Sequence, residues 1–206
     1  FTSLDSIRYN INRKQKNLKF FEFDKAYSLE EKEYKESSKI GIYITGLKQE
    51  EHFVNKPENV SFFDVINITN KVLNIARISD FETKPKADSK TLDMCVEIIS
   101  NGVVLGEIGM VKKEILKTFE ISQDVYHAEI DWPNLIMNFD KEFKFSEIPK
   151  FPQVQRDLSL VMNKDVKYND VISVIDLNKN KILKKVSLYD IYEGDSIGSN
   201  RIAYSM

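Results

Sequence analysis

Basic side chains with tyrosines between them recur through the last quarter of this 206-residue chain. Spaced Lys and Arg side chains can follow the phosphates of a nucleic acid, and Tyr rings offer a surface on which bases stack. The residues that could form such a stripe are Lys150, Arg156, Lys181, Lys184, Lys185, Tyr189 and Arg201. Lys164 and Lys167 could extend the stripe, and Tyr192 is an alternative stacking residue. The other interpretation is that the lysines form a solvated strand edge and the tyrosines belong to the core.

The charge of the chain is unevenly distributed. Residues 1–147 carry 21 Lys/Arg against 25 Asp/Glu, a net charge of −4, whereas residues 148–206 carry 9 against 7, a net charge of +2. A mildly basic segment is expected where a protein meets RNA phosphates. The overall charge of −2 argues against a dedicated nucleic-acid coat.

Residue patterns for catalysis are absent from the sequence. Bidentate guanidinium contacts are a geometrically specific way to hold ATP phosphates and an adenylate. None of the five arginines lies in a Phe-Arg-x-Glu or Gly-rich context. The glycines at 102, 106 and 109 are not followed by Gly-Lys-Ser/Thr, and no Gly-x-Ser-x-Gly elbow occurs. We therefore expect no catalytic residues in this chain.

The sequence also gives no metal-ligand spacing. His52 and His127 lie far apart and have no paired carboxylate motif, so both are interpreted as surface or core residues. The single cysteine, Cys95, lies in a strand pattern and is predicted to be a buried, inert thiol of a reducing compartment. We expect no metal site, and the lack of a long apolar run predicts no membrane span.

The hydrophobic pattern predicts the elements that would position these residues. In residues 1–147 it gives five or six mostly antiparallel strands and two helices. The helix that begins at Ser61 is the most regular of these elements, and Asp64 completes a capping box. Asn101-Gly102 predicts a tight hairpin. We interpret residues 30–39 and 79–90 as loops, and residues 134–150 as the connection to a second domain.

The stretch Phe151-Pro-Gln-Val-Gln-Arg-Asp-Leu-Ser-Leu-Val-Met162 predicts a proline-marked entry followed by an alternating strand. A helix pattern follows around residues 168–175, then a strand at 186–192, a turn, and a third strand from 202. The order is that of a split βαβ or ferredoxin-like sheet. In that arrangement the third strand lies between the first two.

The residues of this stretch, with Val186-Ser-Leu-Tyr-Asp-Ile-Tyr-Glu-Gly194, resemble the ferredoxin-fold anticodon-binding domain that closes the bacterial phenylalanyl-tRNA synthetase beta chain. Earlier segments resemble the preceding domain of the same family. They are Leu18-Lys-Phe-Phe-Glu-Phe23, Asn101-Gly-Val-Val-Leu-Gly-Glu-Ile-Gly109 and Val125-Tyr-His-Ala-Glu-Ile-Asp131. One departure is that Met110-Val-Lys-Lys-Glu114 stands where many members have Glu-Leu-His-Pro.

The resemblance implies an α+β fold in two domains. Residues 1–147 would form a non-catalytic, class II synthetase-like antiparallel sheet flanked by helices. Residues 148–206 would form a truncated ferredoxin-like (βαββ) anticodon-binding domain without its last helix and strand. Both chain ends look like the interior of a longer polypeptide, so we expect a C-terminal fragment.

The resemblance also implies a function. The fragment would support the alpha chain of an α2β2 phenylalanine-tRNA ligase and bind tRNA(Phe). It would hold no cofactor itself, whereas the whole cytoplasmic enzyme would use ATP and Mg²⁺. An alternative is a stand-alone scaffold or protein-interaction module with a ferredoxin-like tail and no RNA role.

Overall fold

The computed structural model describes residues 2–30, 32–50, 53, 56–139, 145, 150–178, 180 and 182–206. The described chain separates into two compact units, Phe1–Lys144 and Phe145–Met206. The predicted division after residue 147 falls among residues outside the described ranges. Among the described residues, no helix combines the length and apolarity needed to span a membrane.

The first unit contains α1 (Thr2–Ile11), β1 (Leu18–Glu30), β2 (Glu33–Thr45), α2 (Phe62–Ile75), β3 (Glu82–Pro85), β4 (Leu92–Ser100), β5 (Val103–Val111), α3 (Lys113–Thr118), β6 (Val125–Asp131) and α4 (Trp132–Met137). Its strands form one antiparallel sheet in the order β1-β2-β6-β5-β4-β3. The second unit contains β7 (Ser159–Asn163), α5 (Tyr168–Leu177), β8 (Asp190–Tyr192), a 3₁₀ turn (Asp195–Ile197) and β9 (Arg201–Ser205). The mixed fold predicted from the sequence is confirmed.

Two apolar clusters hold the first unit together. The first joins α2 and α4 to the sheet through Ile44, Val65, Leu73, Leu105 and Ile130, each at most 1% exposed. The second joins α1 and α3 to other strand residues through Leu4, Ile7, Leu116 and Val125. A sheet with apolar residues on both faces needs cover on both, which the helices provide.

Local sequence signals explain several of these elements. The Asp64 carboxylate accepts hydrogen bonds from the Ser61 backbone N–H (2.7 Å) and hydroxyl (2.6 Å), which confirms the predicted capping box of α2. Asn101 and Gly102 both have positive φ, at 51° and 76°, as a two-residue hairpin turn requires. The predicted hairpin is therefore present.

Three loop predictions for the first unit were wrong. Residues 30–39 mostly continue the β1–β2 hairpin, residues 82–85 form β3, and the supposed connection contains most of α4. The distal hairpin and β3 are exposed, so they lack the alternation that burial imposes on a sequence. The helix α4 has only six residues, too short for a clear period.

The second unit has the predicted strand order, because β9 lies between β7 and β8. Its middle strand in sequence is shorter than predicted and begins at Asp190, not Val186. Asp190 pairs with Ser205, and the Tyr189 N–H donates to the Ser205 carbonyl oxygen at 2.9 Å. Because Ser205 is the last residue of β9, the residues before Tyr189 lie beyond the end of β9 and do not pair with it.

Candidate nucleic-acid interface

The helix α5 packs on one face of the three-stranded sheet in the second unit. The rings of Tyr168 and Tyr204 meet edge to face, with centroids 5.8 Å apart. The Tyr204 hydroxyl donates to the Val166 carbonyl oxygen at 3.1 Å, at the turn that precedes α5. These contacts hold the helix against the side of the sheet that carries Leu160, Ile191 and Tyr204.

The opposite side of this sheet, which we call the exposed face, carries small, polar and aromatic side chains. Its residues are Ser159, Val161, Asn163, Asp190, Tyr192, Arg201, Ala203 and Ser205. Val161, Ala203 and Tyr192 form one cross-strand row, in which Val161 is 50% and Tyr192 46% exposed. The Ser159 and Ser205 hydroxyls lie 2.9 Å apart at one end. An aromatic ring with hydroxyl and amide groups around it can stack and hydrogen-bond a nucleobase.

Tyr192 is held in place by the turn that follows it. Its hydroxyl lies 2.9 Å from the Ser196 hydroxyl. A Cβ at Gly194 would lie 2.4 Å from the Tyr192 hydroxyl oxygen, so a larger residue there would displace the ring. The turn therefore positions the ring before any ligand binds, which lowers the entropy cost of stacking.

The predicted basic residues fall into two groups at opposite ends of the sheet. Arg201 pairs with Asn163 at one end, whereas Ser205 pairs with Ser159 at the other, roughly 13 Å away at the usual rise of a strand. Arg156 precedes β7, and the segment with Lys184, Lys185 and Tyr189 leads into β8, at the Ser159 end. Lys150 is exposed before β7, and Lys181 lies outside the described residues.

The two tyrosines weighed in the sequence lie on different sides of the sheet. Tyr189 and Tyr192 are three residues apart, so alternation along the strand points them to opposite faces. Tyr189, 61% exposed, is on the side where α5 packs, and Tyr192 is on the exposed face. In the sequence, Tyr192 alternates with Ile191 and shares a side of the strand with the polar Asp190. This pattern could have indicated that Tyr192, and not Tyr189, is the stacking residue on the solvent-facing side.

Ion pairing changes the charges that are available at the Arg201 end. The Lys164 ammonium nitrogen lies 2.6 Å from a Glu193 carboxylate oxygen, so its charge is largely neutralised. At the other end the Arg156 guanidinium donates to the Gln155 carbonyl oxygen at 3.0 Å and keeps its net charge. Arg156, Lys167 and Arg201 are exposed and can each reach a phosphate.

A second candidate surface is the sheet face of the first unit that lies away from α2. Pairing places Glu22, Gly41, Glu129, Glu107 and Glu97 in one row across five strands. Lys39 contacts Glu129 at 3.5 Å and Asp131 at 3.1 Å, while Lys86 contacts Glu97 at 3.2 Å and Glu107 at 2.8 Å. Hydrogen bonds and charge from Glu107 and Glu97 raise the pKa of Lys86.

The composition of this acidic face opposes nucleotide binding. Carboxylates outnumber lysines on it, and none of the five arginines lies on the strands that form it. A triphosphate would meet like charge there, and these strands supply no guanidinium to hold it. Within the described ranges, no three His, Cys, Asp or Glu side chains are grouped to hold a metal ion.

Cys95 and His127 both lie at this face, and the surroundings of each side chain oppose a reactive role. Cys95 is 5% exposed, as predicted, and burial followed by the charge of Glu107 raises the pKa of its thiol. His127 stacks on Tyr43, with ring centroids 4.2 Å apart, and its Nδ1 donates to the Ile42 carbonyl oxygen at 3.1 Å. His52 lies outside the described residues.

Comparison with solved structures shows a known fold to which this chain is similar. The pyrrolysyl-tRNA synthetase of Desulfitobacterium hafniense superposes with a TM-score of 0.50 at 17% sequence identity, covering 66% of this chain and 46% of that one. The antiparallel sheet with its flanking helices in this chain thus has a class II synthetase-like fold. At this level of identity the likeness concerns the fold alone.

Sequence comparison then gives the family. Residues 1–132 match the phenylalanyl tRNA synthetase beta chain CLM domain, and residues 149–206 match the ferredoxin-fold anticodon binding domain. The chain belongs to the phenylalanyl-tRNA synthetase beta chain family, which confirms the resemblance seen in its motifs.

Curated relatives align along nearly the whole chain. The phenylalanine–tRNA ligase beta subunit of Bacteroides thetaiotaomicron is 30% identical over 220 aligned residues, covering 100% of this chain and 27% of that protein. The beta subunit of Bacillus subtilis is 29% identical and covers 98% of this chain and 26% of its own length. The chain therefore spans about a quarter of the length of these relatives.

Proposed function

We propose that this chain is a part of a phenylalanine–tRNA ligase beta subunit that recognises tRNA(Phe) through its second unit and supports the alpha subunit through its first. The exposed face is the observation that carries the proposal, because a positioned tyrosine lies there with Arg201 toward one end and further basic residues in the segments that enter the sheet at the other. The match to an anticodon-binding domain over the same residues supports it.

The roles of the residues follow from their places on the sheet. Tyr192 stacks on an unpaired base, and the hydroxyls of Ser159 and Ser205 hydrogen-bond base or sugar edges beside it. The basic residues bind phosphates on either side: Arg201 at one end, and Lys150, Arg156, Lys184 and Lys185 at or toward the other. Lys181 belongs to the proposal through the sequence alone. Tyr189 contributes apolar contact at the second of these ends. Electrostatics supplies affinity, and stacking fixes the register of the RNA.

The chemistry of aminoacylation belongs to the rest of the enzyme. In our proposal the assembly is an α2β2 tetramer in the cytoplasm, and its alpha subunit activates phenylalanine with ATP and Mg²⁺. The acidic face of the first unit does not fit a nucleoside triphosphate, so we assign no ATP or metal step to this chain. The fragment alone is expected to be inactive.

Binding of tRNA(Phe) to tyrosine variants tests this proposal. Stacking on an aromatic side chain contributes about 1–3 kcal/mol per base, so Tyr192→Ala should weaken binding roughly 5- to 150-fold. Tyr189→Ala should have a smaller effect, since that ring is on the α5 side. Fluorescence anisotropy with labelled tRNA(Phe) at one fixed salt concentration measures both.

Tyr34→Ala is the matched control, because Tyr34 is 85% exposed in the first unit. The Tyr34→Ala variant should bind tRNA(Phe) with the same affinity as the unchanged chain. A Tyr192→Ala variant that binds like the Tyr34→Ala control would contradict the proposal.

The exposed apolar residues of the first unit favour a second candidate function, a scaffold that contacts only protein. Phe21 is 81% and Tyr27 68% exposed. Exposed apolar side chains that lie close together mark protein-interaction surfaces. Loss of tRNA binding at all salt concentrations, with retained binding to a protein partner, would support this alternative.

A further inference from the structure

The sheet face beneath α2 has an uncovered strip along its β1 edge, which we call the β1 groove. It is an open cavity of about 390 Å³ lined by Lys19, Phe20, Phe21, Ile40, Ile42, Ile44, Ile68 and Val72. Phe21 is 81% exposed, and Phe23, next along the same side of β1, is 57% exposed. Apart from Lys19, the lining is apolar.

The arrangement of the helices explains why the strip is uncovered. On this face α2 and α4 pack mainly on β2, β5 and β6. A helix is about 10 Å wide, whereas neighbouring strands are about 4.8 Å apart, so one helix covers about two strands. Residues of β1, the edge strand, and of its neighbour β2 both line the groove, so its floor is two strands wide, about the width of one helix.

One end of the β1 groove is positively charged. A second cavity of about 220 Å³ shares Lys19, Ile44 and Ile68 with it and is also lined by Lys48 and Lys71. Lys48 contacts carboxylates of Glu58 at 3.0 Å and Asp64 at 3.5 Å, and the Lys19 ammonium donates to the Lys48 carbonyl oxygen at 3.1 Å. Hydrogen bonds from Ser61 also engage Asp64, so the lysines exceed the acids that face them.

The opposite end of the groove is apolar. Phe23 pairs with Ile40 in the β1–β2 ladder and meets Trp132 edge to face, with ring centroids 5.1 Å apart. From Ile40 to Ile44 the strand advances roughly 13 Å, which corresponds to between two and three turns of a helix. The groove is therefore long, one helix wide, and charged at one end.

We propose that the β1 groove binds a helix of a partner polypeptide that is apolar along one stripe and acidic in its last turn. The stripe packs against Phe21, Ile42 and Val72 as i, i+3, i+4 and i+7 residues do in a helix groove. The acidic turn and the negative end of the helix dipole lie at Lys19, Lys48 and Lys71. The inference rests on the proposed function, in which the alpha subunit is this partner.

Binding of the purified alpha chain to this chain tests the inference. Phe21→Glu places a charge in the apolar groove and should weaken binding at least about tenfold, as loss of a central interface residue does. Lys71→Glu should weaken it several-fold and remove part of its salt dependence. The matched controls are Phe63→Glu, which changes a 73% exposed phenylalanine of α2 that does not line the groove, and Lys117→Glu on α3.

Amide hydrogen exchange on the complex locates the contact. Protection of residues 18–23, 40–44 and 64–72 by the alpha chain is the expected result. No alpha-chain binding, equal binding by Phe21→Glu and Phe63→Glu, or protection elsewhere would overturn the inference. A dimer of this chain that Phe21→Glu dissociates, without alpha-chain binding, would overturn it too, because the occupant would be a second copy. Alpha-chain binding that Phe21→Glu leaves unchanged would overturn this inference alone. No alpha-chain binding by the unchanged chain would also remove the alpha-subunit part of the proposed function, and retained tRNA(Phe) affinity would leave the RNA part standing.

Discussion

His127 lies among carboxylates yet is held in its neutral form. Burial lowers its pKa, while the Ile42 carbonyl and the charges of Glu129, Glu107 and Glu22 oppose the shift and are outweighed. Because a carbonyl oxygen only accepts, Nδ1 carries the proton of the neutral ring. The stack on Tyr43 fills the space between two strands, so His127 is a packing residue and not a general base.

This assignment predicts a pH dependence of stability. An unfolded histidine has a pKa of about 6.5, and His127 in the folded state titrates lower. Between the two values the unfolded state binds more protons, so the free energy of unfolding should fall as the pH drops below about 6.5. Urea denaturation at pH 7.5 and 5.5 measures this fall.

The variant His127→Phe retains a ring beside Tyr43 and should lose this part of the pH dependence. His52→Phe is the control, because His52 is the other histidine of the chain. An unchanged difference between the two pH values in His127→Phe would show that the ring is not the titrating group.

At the scale of the elements, the carboxylate of Asp131 stabilises the junction between β6 and α4. Asp131 ends β6 and caps α4, accepting from the Asn134 N–H at 2.9 Å, the Lys39 ammonium at 3.1 Å and the Ser37 hydroxyl at 3.2 Å. Burial would raise the pKa of Asp131, but these hydrogen bonds and the charge of Lys39 lower it. The strand-to-helix junction therefore depends on the ionised form.

Replacement of Asp131 should destabilise the first unit in two steps. Asp131→Asn keeps a capping oxygen and loses the charge opposite Lys39, at a cost of about 1 kcal/mol in the free energy of unfolding. Asp131→Ala also loses the cap, at a further cost of about 1 kcal/mol.

The pH dependence of these variants supplies a check. A depressed carboxyl pKa stabilises the fold above the unfolded value of about 3.9, and that stability is lost as the pH falls through the folded value. The difference in the free energy of unfolding between the unchanged chain and Asp131→Asn should therefore become smaller at acid pH. Chemical denaturation at pH 7 and below pH 4 measures it, and a constant gap would contradict the role given to the charge.

Sequence patterns predicted the longer elements with a regular buried face and missed the exposed part of the β1–β2 hairpin, β3 and the six-residue α4. The alternation of Ile40, Ile42 and Ile44 reflects packing under α2, whereas Tyr27 and Tyr34 lie in a hairpin exposed on both sides and show no such pattern. The candidate site shows the same limit. Its basic residues could be read from the sequence, but their division between two sheet ends follows from the register of β7 with β9.

At the scale of the whole molecule, net charge separates the two parts of the chain. The segment up to residue 147 carries −4 and the remainder +2. Electrostatic attraction of a polyanion should therefore concentrate on the second unit, and the acidic face of the first should repel it. Affinity for tRNA(Phe) should fall as the salt concentration rises.

The dependence of tRNA(Phe) affinity on salt concentration measures the number of phosphate contacts. The slope of log K against log salt is about −0.7 to −0.9 per phosphate contact, so Arg201→Ala should reduce its magnitude by about one unit. Arg13→Ala is the control, because the Arg13 guanidinium lies 3.4 Å from the Tyr9 ring centroid in the first unit. Equal slopes for Arg201→Ala and Arg13→Ala would remove Arg201 from the interface.

Amide hydrogen exchange on this chain, with and without tRNA(Phe), tests most directly the claim that the exposed face recognises RNA. We predict slower exchange in residues 159–163, 190–196 and 201–205 when tRNA(Phe) is bound, and no change on the acidic face of the first unit. Protection confined to the first unit, or none at RNA concentrations that saturate binding, would contradict the account.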